Sequence, residues 1–123
     1  KVFFNAAPGK NIDNLSNFVD ILLINEIEAQ QISDDYSNTF DNIAKKLSNK
    51  ISKIIITLGS KGVVACEENR KPIYIEGHRV DVKSAHGAGD YFAAKFLLEF
   101  LNNNNFENAL GVANKKTAEF ISK

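Results

Sequence analysis

With a single cysteine, Cys66, among 123 residues, the chain can form no internal disulfide and no metal centre built from several thiolates. Cys66 lies in the apolar run Val63-Val64-Ala65-Cys66, where a free cysteine behaves as a small buried hydrophobe. A reduced, cytoplasmic setting follows as the expectation. Neither sign of charge is in excess: Lys+Arg and Asp+Glu number 15 each, for a formal net charge of +0. That balance gives no global field to attract nucleic acid or an anionic membrane. The apolar runs fall far short of the ~20 residues that span a bilayer, so no membrane partner is expected. Methionine is absent, and Lys1-Val2-Phe3-Phe4-Asn5 has no signal-peptide layout. The chain is therefore expected to be a piece of a longer one.

What is present is ordinary globular material, 44% hydrophobic and 24% charged, enough for one domain. Val2-Phe3-Phe4, Asp20-Ile21-Leu22-Leu23-Ile24 and Ile54-Ile55-Ile56-Thr57-Leu58 are apolar runs without alternation. They predict strands in a sheet covered on both faces. Asn25 caps a predicted helix beginning at Glu26, and Thr39 caps another over 39–47, with Phe40, Ile43, Ala44 and Leu47 on one stripe. After residue 58, Gly59-Ser60-Lys61-Gly62 turns the chain into Val63-Val64-Ala65, a hairpin signal. Ile73-Tyr74-Ile75 and Val80-Asp81-Val82 are further strand candidates. A helix is predicted over 88–101 through Phe92, Phe96 and Phe100, widened by Leu97 and Leu101. Asn102 to Asn105 breaks it, and a last helix runs over 106–121 through Leu110, Ala113, Thr117 and Phe120. Strands alternating with helices, plus a hairpin, predict a three-layer α/β/α fold with helices on both faces of the sheet.

Chemistry is concentrated at His86-Gly87-Ala88-Gly89-Asp90-Tyr91-Phe92, which opens an amphipathic helix. Glycines there leave backbone N–H groups accessible, which suits phosphate at a helix N-terminus where the dipole adds attraction. Asp90 is placed to take a proton from an alcohol attacking a phosphoryl group held in that loop. Such transfer is mostly positioning and charge neutralisation, so a glycine loop and one carboxylate form a sufficient core. Taken alone, the tetrapeptide reads more simply as a turn and a cap. Neither the Walker A pattern nor the dinucleotide fingerprint is present.

Two other segments stand at strand ends, where ligands of α/β sheets bind. Asn25-Glu26-Ile27-Glu28 follows a buried strand, and its spacing puts Asn25 and Glu28 on one face of the first helical turn. Its simpler reading is a cap with a solvated Glu. Thr57-Leu58-Gly59-Ser60-Lys61-Gly62 follows the next strand, with glycines for close approach and hydroxyls for phosphate. Its simpler reading is a plain hairpin turn.

In this order, Asn5-Ala6-Ala7-Pro8, the segment 19–29 and the segments Ile55-Ile56-Thr57-Leu58-Gly59-Ser60-Lys61-Gly62 and Gly87-Ala88-Gly89-Asp90 resemble the C-terminal half of ribokinase-like (PfkB-type) carbohydrate kinases. The resemblance covers nearly the whole chain. It implies that residues 1–123 are the nucleotide-binding, catalytic part of a partial, ribokinase-like (Rossmann-like) domain whose sugar-binding and lid parts lie upstream. It further implies that Asp90 is the base for the sugar hydroxyl and that Gly87, Ala88 and Gly89 form the anion hole. Asn25 and Glu28 match a motif that organises magnesium, water and phosphate, Glu28 reaching the metal through water. Thr57, Gly59, Ser60 and Gly62 match the nucleotide-binding turn, and Asn114 lies where the last helices border the adenine. ATP and Mg2+ are thus implied, with a sugar as substrate.

The departures are specific. Ser84-Ala85 stands where the family usually has Asp-Thr, whose Asp helps bind substrate or a monovalent cation, so the resemblance leaves both roles, and the monovalent cation, open. His86 and Tyr91 replace smaller residues, and the Tyr91 ring is expected to crowd the site; Lys115-Lys116 replaces small residues after Asn114. Two rival readings stay open: a nucleoside or hydroxymethylpyrimidine-type kinase of the same superfamily, and a non-catalytic remnant that binds only nucleotide or a partner. A partial chain also exposes apolar surface, which leaves self-association open.

Overall fold

The computed structural model describes residues 3–5, 19–78 and 87–122. In chain order the elements are β1 (Phe3–Asn5), β2 (Ile21–Asn25), α1 (Glu26–Ser33), α2 (Phe40–Leu47), β3 (Lys53–Thr57), a 3-10 turn (Gly59–Lys61), β4 (Gly62–Glu67), β5 (Ile73–Glu76), α3 (Ala88–Asn103) and α4 (Phe106–Ile121). The strands form a sheet in the order β1-β2-β3-β4-β5. β1 and β2 are parallel, as are β2 and β3, the latter in register from Ile21 opposite Lys53 to Asn25 opposite Thr57. Parallel neighbours need a long crossover, and α1 and α2 supply it between β2 and β3. The candidate strand at 80–82 lies outside the described residues. Among the described residues no helix is long and apolar enough to cross a membrane.

The chain divides into two compact units, Lys1–Leu58 with Val64–Tyr74, and Gly59–Val63 with Ile75–Lys123. In the first, Leu22, Ile24, Ile54 and Ile56 join Ala29 and Ile32 of α1 and Ile43, Ala44 and Leu47 of α2 in one buried cluster. The intervening Ile21, Leu23 and Ile55 are buried too, which is why these strands do not alternate in sequence. Thr39 caps α2 by accepting from Asn42 N–H at 3.4 Å. Cys66 is buried, with its thiol 3.5 Å from Ser48 Oγ.

In the second unit α3 packs on α4 through aromatic rings. Phe96 stacks on Phe100 at 5.6 Å, and both meet Phe106 edge-on at 5.8 and 6.2 Å. The asparagine run between the helices has two structural tasks. Asn104 ends α3 in the left-handed region at φ 51, which asparagine tolerates better than most residues. Asn105 caps α4 by accepting from Asn108 N–H at 2.9 Å. The predicted widening of the α3 stripe fails at Leu101, which is 68% exposed, as is Leu98 at 56%. Phe92, Phe96 and Phe100 repeat on every fourth residue and suffice to fill the interface; Leu101 is rotated about 100° from Phe100 and falls outside it.

Candidate functional site

In the first unit the chemistry-bearing residues stand at the carboxyl ends of two parallel strands. Asn25 ends β2 and Thr57 ends β3, and they are direct partners in the register. Asn25 is also the N-cap of α1, in extended conformation, and its Oδ1 accepts from Glu28 N–H at 2.8 Å. Glu28 Oε1 in return accepts from Asn25 N–H at 2.9 Å. This capping box satisfies two N–H groups that the helix start would leave unpaired, and it fixes both side chains. The predicted common face of Asn25 and Glu28 is thus a closed reciprocal pair. Thr57 Oγ1 donates to the Ile24 carbonyl at 3.5 Å. Among the described residues no group of three or more His, Cys, Asp or Glu is arranged to hold a metal. Glu28, a single carboxylate held by the capping box, would suit only an outer-sphere contact with a hydrated magnesium that arrives with a phosphate ligand.

In the second unit Gly59, Ser60 and Lys61 form the 3-10 turn, with Gly59 at φ 63 and Gly62 at φ 114. Both values are in the left-handed half that glycine adopts without strain. Gly77 N–H donates to the Lys61 carbonyl at 3.1 Å and closes the turn against the end of β5. Gly59 and Ser60 are exposed.

The start of α3 is built differently. Gly87 is its N-cap at φ 79 and offers no side-chain cap, and the first helical bond runs from Tyr91 N–H to the Gly87 carbonyl at 2.9 Å. The N–H groups of Ala88, Gly89 and Asp90 precede that bond and so have no helical partner. Among the described residues, a Cβ at Gly87 or Gly89 would meet nothing within 4 Å. Gly87, Gly89 and Asp90 are exposed, Ala88 half-buried. The result, among the described residues, is a positive helix end without a side-chain cap and with an exposed carboxylate in its first turn. Tyr91, expected to crowd this loop, instead stacks face to face on Phe120 of α4 at 4.2 Å, with Lys95 Nζ 5.4 Å from its ring centre. An aromatic partner on the neighbouring helix captures the ring, and that partner is distant in sequence. Ser84, Ala85 and His86 lie outside the described residues, as do Ala6, Ala7 and Pro8.

Asn114 is 8% exposed, and its Nδ2 donates to the Glu76 carbonyl at 2.9 Å. Beside it runs an open groove of about 630 Å³ between β5 and α4, lined among others by Ile75, Asn108, Gly111, Val112 and Lys115. Sequence reasoning missed this groove. The available signal was Gly111, a residue costing ~1 kcal/mol in a helix interior and leaving nothing within 4 Å of a would-be Cβ.

A model of the family described as pfkB family carbohydrate kinase matches residues 1–123. The ribokinase of Haemophilus influenzae is 30% identical over 130 residues, an alignment covering 100% of this chain and 42% of that protein. The crystal structure of ribokinase from Thermotoga maritima is similar at a TM-score of 0.86 and 26% identity, over 98% of this chain and 42% of that one. The ribokinase of Arabidopsis thaliana complexed with ribose and ATP shares the fold at a TM-score of 0.86 and 24% identity, over 98% of this chain and 41% of that one. The chain thus spans about two fifths of the length of these relatives, and its α/β fold is ribokinase-like.

Proposed function

Because the chain belongs to the pfkB family of carbohydrate kinases, we propose that it forms the nucleotide-binding and catalytic part of a kinase transferring the γ-phosphate of ATP to a sugar hydroxyl. The carrying observation is the start of α3, which has no side-chain cap among the described residues, with Gly87 left-handed and Asp90 exposed in the first turn. In this reading Asp90 accepts the proton of the attacking alcohol as its oxygen bonds to the γ-phosphorus and the bond to ADP breaks. The N–H groups of Ala88 and Gly89 face the charge spread over the transferring phosphoryl oxygens.

Asn25, Glu28 and Thr57 serve the phosphates, the capping box holding Glu28 in place for a water of the ATP-bound magnesium. That ion, when bound, neutralises phosphate charge. Gly59, Ser60 and Gly62 present backbone and hydroxyl to the nucleotide. The groove beside Asn114, with Ile75 and Val112 as apolar wall, takes the base. Ribose is the first sugar to test, since a ribokinase is 30% identical over the full chain.

In the protein carrying this chain, Asp90→Asn is expected to lower kcat by ~10²–10⁴-fold, the usual worth of a general base, with ATP affinity and melting temperature retained. A folded Asp90→Asn protein that phosphorylates ribose at the wild-type rate sinks the mechanism. The rival reading is a part that binds nucleotide without its own grip on the sugar. Calorimetry of the protein carrying this chain separates the two: ribose binding as well as ATP binding supports the first, and ATP binding without ribose binding marks the second.

A further inference from the structure

One peptide group in the second unit is gripped from two sides. The carbonyl of Glu76 accepts from Asn114 Nδ2 at 2.9 Å. The N–H of the same peptide, on Gly77, donates to the Lys61 carbonyl at 3.1 Å. In a trans peptide these two groups point in opposite directions, so the Glu76–Gly77 plane joins α4 on one side to the Gly59–Lys61 turn on the other. Two glycines permit the approach. A Cβ on Gly77 would collide with the Ser60 carbonyl, and a Cβ on Gly62 would collide with the Ile75 carbonyl. Neither neighbour is a flexible side-chain end, so the backbone itself would have to move. Asn114 is held as well, because a buried amide donor left unpaired is costly.

We propose that Asn114 and Gly77 are positioning residues that set the conformation of the Gly59–Lys61 turn through the Glu76–Gly77 peptide. Asn114 fixes the carbonyl end of that plane, and the plane then presents its N–H to Lys61. Gly77 keeps the plane close enough for the bond to form. Only the functional consequence, tighter nucleotide binding, rests on the reading of the turn given above.

The test compares amide exchange and amide chemical shifts of the isotope-labelled chain with those of Asn114→Asp and Gly77→Ala. Asn114→Asp keeps the side-chain shape but replaces the donor with an acceptor. Gly77→Ala acts from the other end of the relay. In both, the amides of Ser60, Lys61, Gly62 and Gly77 are expected to exchange about tenfold faster, as local opening allows, with the β2–β3 ladder unchanged. Ala113→Gly, a buried change one position from Asn114, is the control and leaves those four amides as they are. The proposal is overturned if the turn amides match wild type in a folded Asn114→Asp or Gly77→Ala chain, or if Ala113→Gly moves them equally. Should Asn114→Asp fail to fold, Gly77→Ala decides. ATP calorimetry on the same samples is expected to show binding about tenfold weaker in Gly77→Ala, the step of ~1.4 kcal/mol. A wild-type chain that binds no ATP refutes the nucleotide reading, while the amide comparison still decides the relay.

Discussion

Two helices of this chain carry a carboxylate at the same place, the third helical position, and use it in opposite ways. At α1 the carboxylate is Glu28 and the cap is Asn25, and each side chain bonds the other's backbone N–H. At α3 the carboxylate is Asp90 and the cap is Gly87, and among the described residues no side chain caps the helix end. Asp is one methylene shorter than Glu, and glycine has no side chain to answer it. The first helix start satisfies itself; the second, among the described residues, is given no such side-chain partner. Whether a helix start closes on itself is thus written in the cap residue and the length of the acid, and an open start is what the proposed phosphate site requires.

The widest separation between the two ends should appear in turnover. In the protein carrying this chain, with Asp90 as the proposed base, Asp90→Asn is expected to lower kcat by ~10²–10⁴-fold, whereas Glu28→Gln, which can still complete a capping box, is expected to change unfolding free energy by less than ~0.5 kcal/mol. Steady-state kinetics and denaturant melts of both variants measure this, and a stable Asp90→Asn enzyme with full kcat erases the distinction. Next in size, Asn25→Ala removes the cap of α1 and is expected to cost ~1–2 kcal/mol in a urea melt. No measurable loss would mean that the reciprocal bonds do not matter to stability. Gly87→Ala tests the other end. Among the described residues nothing stands within 4 Å of the added Cβ, so the left-handed backbone penalty of ~1–2 kcal/mol is the expected cost, and Gly87→Asn should recover part of it because asparagine tolerates this region. Equal losses in the two variants would point to something other than φ.

The smallest effect lies between α1 and α2. The Asn38 amide donates to Asp35 at 3.3 Å, and this bond is the chief cause holding that carboxyl below its ordinary 3.8. A lowered folded pKa contributes stability above the unfolded value and loses it as pH falls through the folded value. Asn38→Ala should therefore raise the Asp35 pKa in a carboxyl titration followed by NMR, and an unmoved midpoint rules out the Asn38 bond as its cause.

Most elements were legible because their signals are local. Unbroken apolar runs marked β2 and β3, and Asn25 and Thr39 announced the caps of α1 and α2. The Gly87–Asp90 segment was legible as a helix start and, with the segments ahead of it, as a kinase-like pattern. What stayed hidden depends on distant partners. Periodicity placed Leu101 beside the Phe96 stripe but could not say that the interface ends before it. Tyr91 looked like an obstruction because Phe120, its stacking partner, is 29 positions further on. Asn114 and Gly77 were unreadable as a pair with Lys61, since the relay joins a helix, a strand end and a turn through one peptide plane. The Asn-x-x-Glu motif was read as either a cap or a phosphate organiser; the structure makes it a cap, and that rigidity is what a phosphate organiser would need.

Cys66, 1% exposed on β4, supplies a built-in clock for the first unit. Because it is the sole thiol in the chain, any alkylation under native conditions reports one event, the opening of the strands and helices that enclose it. At high reagent the labelling rate becomes the opening rate itself, and at low reagent it reports the open population. Added ATP would slow the clock only if nucleotide binding stabilises the unit that contains Cys66. Whether a ligand tightens that half of the molecule can therefore be read from one sulfur atom without a probe being introduced.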